Sequence, residues 1–322
     1  MTLKPRIAIT TGDGAGIGPE VSIKALEDAN IRDTADITLI GDAAHLRDVA
    51  SRFLGSESAL NAVAIEDLAN LSEEVVYGVD SALTGKAAAE NIVRAVELWK
   101  EGKIDAIVTA PISKNAIKLA GFDFPGHTEF LAHLTRTKEF AMSFFAGPLR
   151  VALMSTHLPL TEAIAFVTAE RVAKLIRFCD REFAKLLGHK PAIAVAGVNP
   201  HASEGGMFGR EESERIVPAI EECLDEGIEV SGPHPADTVF FNALRGKFDV
   251  VVAMYHDQAT IPVKTTAFDR AVNVTLGLPV LRTSVDHGTA YDIAGKGVAS
   301  AANMAAALEL AIDLVGSHKQ CN

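Results

Sequence analysis

Short apolar runs alternate with amphipathic stretches along the chain, the pattern of βαβ units. Six runs predict buried strands: Ile7 to Thr10, Ile37 to Ile40, Ala106 to Thr109, Val151 to Met154, Ala192 to Ala196 and Val250 to Met254. They are rich in Val, Ile and Ala and carry no charge, as strands covered on both faces do. Between them the spacing predicts a helix over Ala87 to Glu101, ending before Gly102. Another runs from an N-cap at Thr168 to Leu187 and stops at Gly188 with a left-handed cap. An Ala-rich helix from about Ser300 to Val315, ended by Gly316, closes the pattern. Phe140 to Met154 breaks the rhythm: two apolar runs joined by Ala146-Gly147-Pro148 predict an antiparallel hairpin or a crossing between domains. Neither an internal repeat nor a low-complexity linker marks a boundary, so any division must come from topology.

Composition narrows the class. A chain of 322 residues has room for about two domains, and 48% hydrophobic with 22% charged residues is ordinary for a globular enzyme. A formal net charge of −12 argues against nucleic acid as a partner, since phosphate backbones select basic surfaces. A small phosphate remains possible wherever a few basic residues converge. No run approaches the roughly 18 apolar residues of a membrane span, and the opening MTLKPRIAIT lacks a signal-peptide pattern, which predicts a cytoplasmic protein. Cys179, Cys223 and Cys321 are widely spaced, form no CxxC, and read as unpaired thiols, with Cys321 exposed.

The chemistry gathers at the carboxyl ends of the predicted strands. His157 follows VALM with two residues between, His201 follows AIAVAG after a Val-Asn-Pro turn, and His256 follows VVVAM after one Tyr. In open α/β sheets, loops at that end surround the ligand. Three imidazoles converging there make a plausible divalent-metal site with open positions for substrate. The competing reading is three separate hydrogen-bonded loop residues, and spacing alone does not decide between them. His45, His133, His189 and His318 read as surface or helix residues without a role.

Two further polar knots stand out. TTGDGAGIGPE places Asp13 in a Gly-rich turn after the first strand, but its glycines miss the dinucleotide spacing: residue 17 is Ile and residue 19 is Pro. Pro19-Glu20 suits a first helical turn, so this loop reads as tight strand-to-helix packing. PGHTEFLAHL, from Pro125, places Thr128 as an N-cap. The N–H groups of such a terminus, with His127 and the Thr128 hydroxyl, suit a phosphate. An ordinary cap is the alternative. Lys264 in IPVK and Arg282 in PVLR, both in strand-like sequence, are the natural cationic partners.

These residues and their order resemble the 4-hydroxythreonine-4-phosphate dehydrogenase family, including its paralogue acting on 4-phospho-D-threonate or erythronate. The likeness runs from GDGAGIGPE at 12–20 through PGHTEFLA, NPHASEGGMFGREE, GPHPADTVF, YHDQ and VNVTLGLPVLRTSVDHGTA to DHGTAYDIAGKGVA at 286–299. It implies two α/β/α domains of isocitrate/isopropylmalate dehydrogenase type without a Rossmann fingerprint. A terminal domain would span 1–133 plus 276–322, and a central domain 134–275. The resemblance implies a homodimer whose active site lies at the subunit interface, with His157, His201 and His256 on one divalent metal (Zn, Mg, Co or Mn). It implies His127, Thr128, Lys264, Asn273 and Arg282 as substrate contacts. Through HGTAYDIAGKGVA it implies a loop wrapping the adenosine end of NAD or NADP, carried by Gly288, Thr289, Ala290, Asp292 and Gly295. Three departures leave the substrate open: Gly14 where Pro is usual, Ser203 within NPHAGEGG, and Ala259-Thr260 after YHDQ.

The implied reaction is oxidation of a phosphorylated 3-hydroxy acid by NAD(P), followed by decarboxylation of the β-keto acid. A dihydrodiol-type substrate is a further alternative, although the intact GHTE block favours a phosphorylated one. Asp237 and Asp257 are candidates to tune the metal ligands or relay the proton, against a helix cap and a structural turn respectively. From other classes, a metal-dependent hydrolase working without NAD, an acyl-phosphate transferase and a non-catalytic binding protein compete. Appearance of NADH separates the dehydrogenase from all three.

Overall fold

The computed structural model describes residues 4–321, with side chains through residue 317. Eleven strands are described: β1 (Arg6–Thr10), β2 (Asp36–Gly41), β3 (Ala64–Asp67), β4 (Ala106–Thr109), β5 (Ala141–Ala146), β6 (Leu149–Leu153), β7 (Ile193–Ala196), β8 (Val230–His234), β9 (Val250–Ala253), β10 (Val272–Leu276) and β11 (Leu281–Ser284). All six predicted strands are present. Residues 4–140 with 272–320 form one compact unit and residues 141–271 the other.

The first unit carries strands in the order β3-β2-β1-β4-β11-β10. Every pairing in it is parallel except β10 with β11. Register places Ile7 opposite Ile37 and Ala106, and Ser284 opposite Thr109. β4, read as AIVT, is buried at every position, as a strand covered on both faces must be. Its core joins Ala8, Ile40 and Ile107 to Ile92 and Val96 of the helix Ala82–Lys100 and to Phe130 and Leu131. That helix begins five residues before its predicted start, because the Ser81 hydroxyl caps it by accepting from Thr84 N–H at 3.1 Å.

The second unit is ordered β5-β6-β9-β7-β8. The run around Gly147 is a hairpin: β5 pairs antiparallel with β6, Phe144 opposite Val151, and the other pairings are parallel. The helix Ala169–Leu187 runs as its pattern predicts, from a Thr168 cap to Gly188 at φ +73°. It buries Val172, Ile176, Cys179 and Phe183, which recur every three to four residues on one face.

Several local expectations are overturned. Lys264 lies in the helix His256–Ala267, not a strand. Ala259 and Val263 are both fully buried at i, i+4, a helical stripe, and Pro262 is accommodated within the helix. The last helix, Ala302–Cys321, runs through Gly316, which does not adopt the left-handed φ that would end it. Thr128 is not a cap: the helix His127–Thr135 starts after Gly126, and Thr128 is its second residue. Asp237 likewise sits in the first turn of the helix Ala236–Leu244, after Pro235, and caps nothing. His45 lies in the helix Ala43–Val49, as expected, half-buried with Nε2 3.1 Å from Gly14 O. Cys179 and Cys223 are free and buried, while the side chains of His318 and Cys321 lie outside the described residues.

Candidate active site

In the second unit the strand ends are stapled together, and the staples bring two of the three histidines into one place. Ser155 Oγ, just beyond β6, donates to Met254 O beyond β9 at 3.2 Å. Gln258 accepts from Met254 N–H at 2.7 Å and donates to Gly197 O beyond β7 at 2.6 Å. His157 and His256 then lie with ring centroids 5.8 Å apart. His256 is the first residue of its helix, and its Nδ1 contacts Asp257 Oδ1 at 2.7 Å. With Nδ1 against a carboxylate, Nε2 is the ring nitrogen left available to a ligand. Asp257 stands in the first turn of that helix.

His201 is presented differently. His201, Ala202, Ser203 and Glu204 all have left-handed φ, from +44° to +65°, and Gly205 and Gly206 continue at +69° and +98°. Buried Glu212 braces this turn, accepting from Val198 N–H at 2.7 Å, Asn199 N–H at 2.6 Å and Asn199 Nδ2 at 2.8 Å. The His201 ring lies 6.3 Å from that of Phe208. Among the described residues no three His, Cys, Asp or Glu side chains form a metal-holding group. One chain therefore pairs His157 with His256 and does not bring His201 to them. Two imidazoles fit a borderline divalent cation but leave its protein ligand set incomplete. Asp237 is exposed.

The first unit builds an anion pocket. Arg282 on β11 is 3% exposed. Its guanidinium donates to Thr109 Oγ1 from Nε at 3.1 Å and Nη2 at 2.8 Å. Nη1 donates to Asn273 Oδ1 at 3.2 Å and Thr275 Oγ1 at 3.0 Å. Every partner is neutral, and burial pulls the guanidinium down to about 9 while Glu129 opposes this. Thr128 Oγ1 lies 3.3 Å from Thr275 Oγ1. His127 Nε2 is buried with no partner among the described residues, and burial together with Arg282 holds the ring well below its usual range, hence neutral. No side chain caps this helix. A buried cation, a free ring nitrogen and uncapped N–H groups together suit an anion. Thr109, Thr275 and Ser284 escaped sequence reading. Their only signal is a polar residue recurring inside otherwise apolar strands.

The 286–299 loop also lies in the first unit, docked on the Gly-rich turn. Ile17 N–H donates to Thr289 O at 3.0 Å, and a Cβ on Gly16 would sit 2.9 Å from Thr289 Cβ, so the turn needs its glycine there. Glu20 accepts from Ala299 N–H, and Lys24 donates to Gly297 O and Ala299 O. Ala290 and Gly295 take φ of +44° and +71°, and Asp292 is exposed. Gly288 has open space beside it, and His287 Nε2 is buried with no partner among the described residues. An open flank beside an unused ring nitrogen fits a polar ligand such as a cofactor. No helix among the described residues is long and apolar enough to cross a membrane.

Residues 24–311 match the family described as pyridoxal phosphate biosynthetic protein PdxA. The chain is 45% identical over 324 residues to D-threonate 4-phosphate dehydrogenase from Cupriavidus necator, covering 96% of this chain and 97% of that protein. It is 43% identical over 333 residues to 4-hydroxythreonine-4-phosphate dehydrogenase from Trichlorobacter lovleyi, covering 98% and 99%. The crystal structure of 4-hydroxythreonine-4-phosphate dehydrogenase from Klebsiella pneumoniae matches with a TM-score of 0.88 at 40% identity, covering 97% of this chain and 100% of that one. The fold and the resemblance read from the motifs both stand. The chain belongs to the PdxA family and is an oxidoreductase.

Proposed function

We propose that this chain catalyses the metal-dependent, NAD(P)-linked oxidation of a phosphorylated 3-hydroxy acid of the 4-phosphooxy-threonine type, followed by loss of CO₂ from the β-keto acid. The observation that carries this reading is Arg282, buried among neutral partners beside the unpartnered His127 Nε2. Such a cation calls for an anion, and a phosphate supplies one together with acceptors for His127, Thr128 and Asn273. Lys264, carried by the helix His256–Ala267, is the further cation proposed for the substrate. Anchoring the phosphate orients the carbon that reacts and spends binding energy away from it.

His157, His201 and His256 hold the divalent metal, with His201 supplied by a second copy of the chain. Large apolar side chains exposed in the second unit, among them Leu160, Met207, Phe208, Phe241, Ile261 and Phe268, give that copy a surface to cover. Three imidazoles suit zinc better than magnesium. When bound, the metal polarises the hydroxyl and carboxylate of the substrate. A nicotinamide held there would accept the C3 hydrogen as hydride while a base of the chain takes the hydroxyl proton. The electron pair freed as CO₂ departs would pass into the ketone as an enolate, which a proton at the same carbon then quenches. Asp257 orients His256, which leaves Asp237 as the candidate base. Gly288, Thr289, Ala290, Asp292 and Gly295 receive the adenosine end of the cofactor.

The second reading, 4-phospho-D-threonate or erythronate as substrate, is favoured by the 45% identity to the Cupriavidus necator enzyme. NADH absorbance is followed with phosphorylated hydroxythreonine, phospho-threonate and phospho-erythronate in turn. NADH formed with any of them, dependent on added metal, supports the reaction, and the fastest identifies the substrate. Product released without NADH would replace it with the hydrolase reading.

A further inference from the structure

Asp13, the acid of the Gly-rich turn, is used by neither the histidine pair nor the anion pocket, yet it is 0% exposed. Its Oδ1 accepts from Ala15 N–H at 2.8 Å, and its Oδ2 lies 2.8 Å from the Tyr291 hydroxyl. The same hydroxyl lies 2.9 Å from Asp80 Oδ1. Asp80 is held in turn by Ser113 Oγ and by Asn115 Nδ2. Tyr291 stands in the middle of the 286–299 loop, while Asp13 follows β1 and Asp80 precedes the helix Ala82–Lys100. One phenol thus ties the loop to two separate segments of the first unit. Beside it, Gly78 N–H donates to Ala15 O at 2.9 Å, and a Cβ on Gly78 would lie 2.8 Å from Tyr291 O, so the residues before Asp80 pack directly on the loop.

A phenol carries a single proton, so two oxygen contacts at this range need a second one. Burial pushes Asp13 up, whereas the Ser113 hydroxyl holds Asp80 down. Of the two carboxyls, Asp13 is the one that burial favours to carry the second proton. Burial also keeps the phenol protonated.

We propose that Tyr291 is a positioning residue for the cofactor: clasped between Asp13 and Asp80, its hydroxyl holds the 286–299 loop in the shape that receives the adenosine end of NAD(P). This rests on the cofactor reading of the loop given above. A loop that holds its receptive shape only part of the time binds more weakly in proportion to the fraction lost. Phenylalanine at 291 keeps the ring packing and removes both oxygen contacts. A hydrogen bond to a charged group is worth enough to change a population about tenfold or more.

The test measures direct binding of NADH by fluorescence, without substrate, to the unaltered chain, to Tyr291→Phe and to Gly288→Val. Binding of inorganic phosphate and the thermal midpoint are measured on the same samples. Gly288→Val fills the open flank of the loop without touching the clasp. The expected result is NADH affinity lowered about tenfold by Tyr291→Phe and abolished by Gly288→Val, with phosphate binding unchanged in both. In turnover, Tyr291→Phe should raise KM for the cofactor and leave kcat within about twofold. Loss with Gly288→Val alone overturns the clasp and spares the loop reading. Unchanged NADH binding in Gly288→Val overturns the loop reading, and the clasp's role with it. Equal loss of NADH and phosphate binding in Tyr291→Phe would mean that the phenol only supports the fold.

Discussion

Arg282 and Thr128 show how much of the chemistry rests on single atoms. The Thr128 hydroxyl does not cap its helix, so its only described partner is Thr275 Oγ1, a weak contact at 3.3 Å. It is free to turn to a phosphate. A hydrogen bond to a charged group contributes roughly 1.5–3 kcal/mol. Thr128→Val should therefore lower kcat/KM about ten- to a hundredfold on the phosphorylated substrate and much less on its dephosphorylated analogue. Equal losses on both would place the role of Thr128 in packing. Arg282 sets a pH limit. Only its protonated form binds an anion, burial draws it down to about 9, and His127 stays neutral. Affinity for inorganic phosphate should weaken as the pH rises through about 9. Calorimetric titration across that range checks it, and an undiminished affinity well above 9 would mean that Arg282 is not the anchor.

At the scale of one element, the left-handed turn that carries His201 is expensive. Left-handed backbone costs an L-residue roughly 1–2 kcal/mol, and four consecutive non-glycine residues adopt it here. Glu212, with three donors on one carboxylate, offsets much of this and aims the turn. Ser203, where the resembling family has Gly, is one of the four, at φ +65°. Ser203→Gly removes its steric penalty but adds freedom to the unfolded chain, for a net gain of about 0.5–1 kcal/mol. Urea unfolding at constant m-value measures the shift. A destabilised variant would mean that the buried Ser203 side chain contributes more than its backbone costs.

For the whole molecule the question is whether His201 of a second copy completes the proposed metal site. One chain gathers His157 and His256, and no third His, Cys, Asp or Glu joins them among the described residues. If His201 arrives from a second copy, chains carrying His157→Ala and His201→Ala should each be inactive alone. Mixed, each heterodimer regains one intact site, which combines His201 of the first variant with His157 and His256 of the second. Activity and bound metal should both reappear in the mixture. Verified heterodimers with neither would show that the three histidines work within one chain.

Much of this protein was legible without coordinates, because the governing forces are local. Apolar runs such as AIVT and VVVA become covered strands, Thr168 and Gly188 start and stop a helix, and the Gly147 turn makes a hairpin, each from side-chain period and backbone preference. The blocks that carry the family resemblance are contiguous and survive as text. Other features exist only after folding. Lys264 joined a helix because burial of Ala259 and Val263 outweighed the strand-like look of IPVK. Thr109 and Thr275, far apart in sequence, meet at Arg282 only because β4, β10 and β11 lie side by side. Tyr291 reaches Asp13 and Asp80 from about two hundred residues or more away. Burial, which turns a hydroxyl or a carboxylate from a solvated group into one that must find a partner, is a property of the packed chain, and no local pattern of residues encodes it.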